Sequence, residues 1–130
     1  MLLRATVVPV ILLPLAIFVQ LFLGGAYLVS DAGYPSIGGM DTVHPVFGLV
    51  VGIIALAALI VVWFSKPRAR LLAYTTTVTF VLVVLAGLAA DKSTMLGHDT
   101  FATLAFGASI VGAVAASGWR AAPTAAVSQT

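Results

Sequence analysis

The sequence predicts an all-α integral membrane protein, a four-helix bundle that runs up-down-up-down with both termini in the cytoplasm. Hydrophobic residues make up 62% of the 130-residue chain and charged residues only 8%. The mean hydropathy of +1.18 lies far above that of soluble domains. Four apolar stretches, each close to the length of about 20 residues that a spanning helix needs, fill almost the whole chain. The sequence therefore leaves no room for a soluble domain.

The first two helices are predicted over about 5–28 and 43–64. A loop rich in Gly, Ser, Asp and Pro separates them and ends the first helix by turn chemistry. The second helix opens near Pro45, because proline lacks the N–H that the first helical turn does not use. Trp63 marks the membrane interface near its end, and Pro67 in the basic connector cannot continue the helix.

The last two helices are predicted over about 71–90 and 98–119, with a tight turn between them. Residues 1–120 then form one four-transmembrane-helix domain, and the small residues of 121–130 are expected to be a disordered C-terminal tail. The first helix is expected to be retained, because it is too long for a signal peptide and no clear A-x-A cleavage site follows it.

The basic residues predict the orientation, because Lys and Arg accumulate on the cytoplasmic side of membrane proteins. Five of the six fall on one side of the predicted bundle, against Lys92 on the other. Those five are Arg4, Lys66, Arg68, Arg70 and Arg120. The sequence therefore predicts a multi-pass cell-membrane protein, of the bacterial inner membrane, with its even-numbered helices starting at the outer face.

Composition also excludes several classes of function. With no cysteine, the chain has no disulfide, thiolate metal site or thiol nucleophile. The pI near 9.4 rests on six Lys and Arg without a basic stripe, so the predicted partner is the lipid bilayer and not nucleic acid. Neither a Ser-His-Asp set nor a glycine-rich phosphate loop is present, which favours an electron carrier or accessory protein over an enzyme.

His44 and His98 are the only histidines, and each stands at the outer start of an even-numbered helix, at nearly the same depth. Small residues lie about one and two turns below them on the same helix faces: Gly48, Gly52, Ala102 and Ala105. A flat macrocycle held between two helices needs facing imidazoles with small neighbours. The pattern predicts a b-type haem near the outer face, with both histidines as metal ligands.

Two other polar residues are candidates for the same site. Gln20 lies inside the first helix and must find a partner there, on a neighbouring helix, a haem edge, a quinone or a ligand histidine. Lys92 is the one cation on the outer side for the haem propionates, beside the hydroxyls of Tyr34, Ser36, Ser93 and Thr94. The threonines of the third helix are expected to bond to their own backbone.

The segment Gln20-Leu21-Phe22-Leu23-Gly24-Gly25 and the two histidines resemble a family of uncharacterised four-helix bacterial membrane proteins. Over about residues 5–118 the layout is also similar to one half of haem A synthase, in which a four-helix unit holds haem between histidines on its second and fourth helices. This resemblance implies that His44 and His98 are axial ligands of an outer-facing b-type haem. The chain has no Glu or Cys and only one such half, so haem hydroxylation is not implied.

Three functions remain open. The first is a cytochrome b that transfers electrons, with a quinol or a larger respiratory complex as partner. The second is a non-catalytic membrane subunit or assembly factor whose small-residue faces bind partner helices while the histidines cap helices; a homo-oligomer also stays open. The third is an outer-face copper protein, because Met40 and Met95 precede the histidines and thioether with imidazole suits Cu(I).

Overall fold

Four α-helices make up the computed structural model of the chain. They are α1 (Leu2–Asp31), α2 (Met40–Phe64), α3 (Arg70–Ala89) and α4 (Met95–Arg120). The structure describes the backbone of residues 2–31, 39–64, 70–89 and 95–120, and the side chains of 8–26, 39, 42–64, 70–89 and 97–117. All regular structure in this part of the chain is helical, as the sequence predicted.

Each helix contains a segment that can cross a membrane. These segments, of 19 to 23 residues, are Val8–Ala26, Thr42–Phe64, Arg70–Ala89 and Gly97–Ser117. At about 1.5 Å per residue they match the roughly 30 Å hydrocarbon core of a bilayer. The prediction of an all-α protein with four helices long and apolar enough to span a membrane is confirmed.

The even-numbered helices begin earlier than the sequence indicated. α2 starts at Met40 and α4 at Met95, three residues before the predicted starts at 43 and 98. Gly39, with a φ of 88°, precedes α2, and its carbonyl accepts the N–H groups of Thr42 and Val43 at 3.0 and 2.9 Å. This bonding closes a first turn ahead of Pro45, which the sequence pattern had placed in that turn.

The helices pack as a ring in which α1 contacts α2 and α4, and α3 contacts α2 and α4. Alanines occupy several fully buried interior positions, and larger side chains such as Leu13 and Leu72 are buried beside them; the alanines include Ala55, Ala58, Ala105 and Ala116. Many other large apolar side chains point outward, with Phe64, Leu88 and Phe22 at least 70% exposed. Small residues between helices and large ones outside are the arrangement expected for a bundle surrounded by lipid.

Threonines on the first half of α3 satisfy their hydroxyls within the helix, as predicted. Thr76 Oγ1 donates to the carbonyl of Leu72 at 2.7 Å, and Thr79 Oγ1 to that of Thr75 at 2.8 Å. Both side chains are at most 3% exposed. Gly112 of α4 lies against the same region, where an added Cβ would be 3.1 Å from Thr75 Oγ1. α3 and α4 are therefore tightly packed at this level.

Candidate cofactor site

The structure brings the two histidines together. The ring centroids of His44 on α2 and His98 on α4 are 5.8 Å apart, and the ring planes are inclined at 77°. α2 and α4 lie diagonally opposite in the ring of helices, each packed mainly against α1 and α3. The imidazoles therefore meet across the interior of the bundle, one turn inside the start of each helix.

The imidazole of His98 is held by the end of α3. Its Nδ1 lies 2.8 Å from the carbonyl oxygen of Ala86. Ala86 lies in the last turn of α3 that the structure describes. Because a carbonyl can only accept, Nδ1 carries the proton, and the lone pair is left on Nε2. A metal-ligating histidine commonly has this arrangement.

The imidazole of His44 is held by Gln20 from α1. The Gln20 amide nitrogen donates to the backbone carbonyl of His44 at 3.1 Å and lies 3.2 and 3.4 Å from the ring atoms Nδ1 and Nε2. An amide N–H donates, so the ring nitrogen that receives it is an acceptor. Gln20 thus meets a histidine on a neighbouring helix, while its own Oε1 is buried without a hydrogen-bond partner.

Two glycines make room for this pair. A Cβ at Gly24 would be 3.2 Å from His44 Cε1, and a Cβ at Gly48 would be 3.1 Å from the Gln20 amide nitrogen. Gly48, predicted to form a groove beneath His44, lines the cavity described below and lies against the Gln20 side chain. Gly24 was not identified from the sequence as a site residue. The sequence feature that could have pointed to Gly24 is its spacing, because Gly24 follows Gln20 by four residues, just as Gly48 follows His44.

A cavity of about 350 Å³ lies between the helices beside the two histidines. Gln20, His44 and His98 are its polar lining residues, and the rest are Pro, Gly, Ala, Val, Leu and Ile. The four small residues singled out from the sequence, Gly48, Gly52, Ala102 and Ala105, are among the lining residues. Nothing lies within 4 Å of a Cβ at Gly52. The predicted groove is therefore open at Gly52.

Gly87 on α3 also lines the cavity, and the sequence analysis missed it. A Cβ at this position would meet nothing within 4 Å. No periodic pattern marks Gly87, because its role depends on which face of α3 turns toward α2. Only the packing of the two helices shows that it borders the cavity.

The donor set of the site is two imidazoles. The 5.8 Å spacing is between the ring centroids, and both ring nitrogens of His44 lie beside the Gln20 amide nitrogen. Within the part of the chain that the structure describes, no three His, Cys, Asp or Glu residues are grouped to hold a metal ion.

Several predicted contributors lie outside the described side chains. These are Lys92, Tyr34, Ser36, Ser93 and Thr94, the proposed surroundings of the propionates, and the side chains of Met40 and Met95. The backbone places Met40 and Met95 as the first residues of α2 and α4, whereas the sequence analysis had them in the preceding loops. The predicted tail at 121–130 is also outside the described residues.

No protein-family model, curated protein or solved structure matches this chain. The resemblance to one half of haem A synthase therefore stays a prediction from the residues that suggested it.

Proposed function

We propose that this protein is a membrane-embedded b-type haem protein, with His44 and His98 as the two axial ligands. The observation that carries the proposal is the meeting of the two imidazoles across the bundle interior, with their centroids 5.8 Å apart. Two residues 54 positions apart on diagonal helices would not need to meet for either helix to pack. Ionisable side chains inside membrane bundles are costly and are generally retained for function.

The cavity beside the histidines fits a flat apolar cofactor. Its volume of about 350 Å³ falls at the lower end of the range for small-molecule sites. Because the cavity is open on one side, a larger planar ligand would have an edge in the opening. Small residues at Gly52, Ala102 and Ala105 allow the helices to enclose a macrocycle without steric conflict.

Haem, when bound, would be held by His44 and His98 and would supply one-electron redox chemistry. The protein residues position the ligands. Ala86 fixes the tautomer of His98 through its carbonyl, and Gln20 links His44 to α1. The apolar lining keeps water from the site. Electron transfer is the function that this arrangement supports, with a quinol or a larger respiratory complex as partner.

The topology we propose is up-down-up-down, with both termini in the cytoplasm of a bacterium and the histidines near the outer face of its inner membrane. The contacts of His98 with Ala86 and His44 support it, because they bring the start of α4 beside the end of α3 and the start of α2. Trp63 near the end of α2 contacts Thr77 on the first half of α3. The excess of Lys and Arg at the other side supports the orientation.

A reduced-minus-oxidised absorbance spectrum of the protein in mild detergent tests the haem proposal. We expect the sharp bands of six-coordinate b haem in the wild type and their loss in His44→Ala and in His98→Ala. The matched control is Ser109→Ala, a buried position on α4 whose hydroxyl bonds within its own helix to Phe106 O at 2.6 Å. A colourless wild type from haem-replete cells would contradict the proposal, as would unchanged bands in both histidine variants.

A second candidate function is a non-catalytic membrane subunit or assembly factor. The hydrogen bond from His98 to Ala86 favours it, because this bond joins α4 to α3 without any ligand. On this proposal the purified protein is colourless and co-purifies with a larger complex. Replacement of His98 would then lower the stability of the bundle without changing any spectrum.

A further inference from the structure

The cavity beside the histidines has a closed side and an open side. Its walls on α1 and α4 include Ile17 and Ala105, which are 2% and 0% exposed. Its walls on α2 and α3 include Leu49 and Val84, which are 67% and 42% exposed, and the exposed Gly87. The opening of the cavity therefore lies between α2 and α3.

This opening faces the hydrocarbon region of a bilayer. Leu49 lies within the spanning segment Thr42–Phe64, and Val84 and Gly87 lie within Arg70–Ala89. The exposed residues of the rim are apolar, whereas the polar lining residues are Gln20 and the two histidines. A molecule that enters here needs an apolar body and a group that imidazole can bind.

Gly87 leaves a gap in the apolar surface of α3. Leu88 is 73% exposed, and Val84 and Leu85, one turn or less before Gly87, are also exposed. Large side chains therefore cover the outer face of α3 before and after Gly87, which has no side chain. An added Cβ at Gly87 would meet nothing within 4 Å, so folding of the bundle does not require a glycine at this position.

We propose that the ligand of this cavity enters from the bilayer, sideways, between α2 and α3 at Gly87. The ligand class is a flat, membrane-dissolved molecule, and the inference rests on the proposed function in taking haem as that molecule. Entry from the lipid lets an apolar ligand reach the histidines without leaving the hydrocarbon phase. Gly87 then controls the rate at which haem enters the cavity, with no contact to the iron.

Haem loading in vesicles tests this route. Protein made in haem-deficient cells is reconstituted into lipid vesicles, haemin is supplied dissolved in the membrane, and apomyoglobin outside captures haem from the water. The growth of the six-coordinate absorbance bands gives the loading rate. We expect the wild type to load while the scavenger is present.

Variants at Gly87 give the second measurement. Gly87→Leu should load haem several-fold more slowly than the wild type, and Gly87→Ala should be intermediate. The matched control is Gly107→Leu on α4, an exposed glycine outside the cavity lining that also has nothing within 4 Å of its Cβ. We expect it to load at the wild-type rate.

The outcomes of these measurements distinguish failure of the lateral entry route from failure of the proposed haem function. If the wild type forms the bis-histidine spectrum but the scavenger blocks loading, entry is from water and the lateral route is wrong. Equal loading rates in Gly87→Leu and Gly107→Leu would also overturn it. If the wild type forms no such spectrum with haemin supplied by any route, the proposed function fails and this inference fails with it.

Discussion

The two halves of the bundle differ in how several of their polar side chains are hydrogen-bonded. In the half that contains His44 and His98, which we call the histidine half, Gln20 and His98 form hydrogen bonds to neighbouring helices. In the half that contains the threonines of α3, which we call the threonine half, Thr76 and Thr79 donate to carbonyls of their own helix. The histidine half contains a cavity of about 350 Å³, whereas at Gly112 the threonine half is packed against Thr75 without spare room.

The difference shows what a polar group costs inside a membrane. A threonine that bonds back to its own backbone needs nothing from its neighbours, so small residues can bring the helices into close contact. An imidazole or carboxamide cannot be satisfied in this way and fixes the position of a second helix. Polar contacts between helices therefore fix the helix positions in the histidine half, whereas close packing of small residues fixes them in the threonine half.

Replacing one glycine by leucine in each half should give the largest difference in stability between the halves. Gly112→Leu places a side chain where a Cβ alone would be 3.1 Å from Thr75 Oγ1, and overpacking of this kind costs about 1–3 kcal/mol. Gly52→Leu enters open cavity space and should cost much less. Midpoints of thermal unfolding in mild detergent measure both, with Gly107→Leu as the control. Equal losses of stability in Gly112→Leu and Gly52→Leu would show that the two halves do not differ in how closely they are packed.

Gln20→Leu should have the next largest effect. It removes the hydrogen bonds from α1 to His44, and such bonds between membrane helices are worth about 0.6–1.7 kcal/mol. Loss of the unpaired Oε1 offsets part of this, so we expect a net loss of about 1 kcal/mol in the free energy of unfolding. In the haem-loaded protein the midpoint potential should also shift, because His44 loses the group that orients it. Unchanged stability and potential would show that Gln20 does not hold His44.

Gly24→Ala should have a smaller effect, best seen against its neighbour Gly25→Ala. A Cβ at Gly24 comes within 3.2 Å of His44 Cε1, whereas one at Gly25 meets nothing within 4 Å. Alanine favours a helix over glycine by up to about 1 kcal/mol, so Gly25→Ala should be neutral or stabilising. Gly24→Ala should be less stable than Gly25→Ala, because the imidazole must shift. Unfolding midpoints compare them, and identical values would mean that the ring moves freely.

Thr79→Val should have the smallest effect although the side chain is only 1% exposed. Valine fills the same space, and the carbonyl of Thr75 keeps its bond to the backbone N–H within α3. We expect a change within about 0.5 kcal/mol. A loss in unfolding free energy as large as that of Gln20→Leu would show that the threonine half also depends on polar contacts between helices.

Prediction from the sequence succeeded where a property belongs to a single helix. Hydropathy over about 20 residues identified each spanning segment, and threonine chemistry predicted the bonds of Thr76 and Thr79 to their own helix. Prediction was less accurate where contacts with other residues determine a side-chain position or a helix start. The structure places Gln20 over Gly48, which the sequence left as open space, and starts α2 at Met40, because the carbonyl of Gly39 closes an extra turn.

The sequence by itself determined that the chain forms four apolar helices and that two histidines lie near the starts of the second and fourth. These properties follow from composition and length, which act on each segment separately. Only the tertiary structure decided that His44 and His98 meet, that Gln20 and Ala86 hold them, and that Gly87 borders an opening between α2 and α3. These facts depend on the rotation of each helix about its own axis, which is set by packing against the other three.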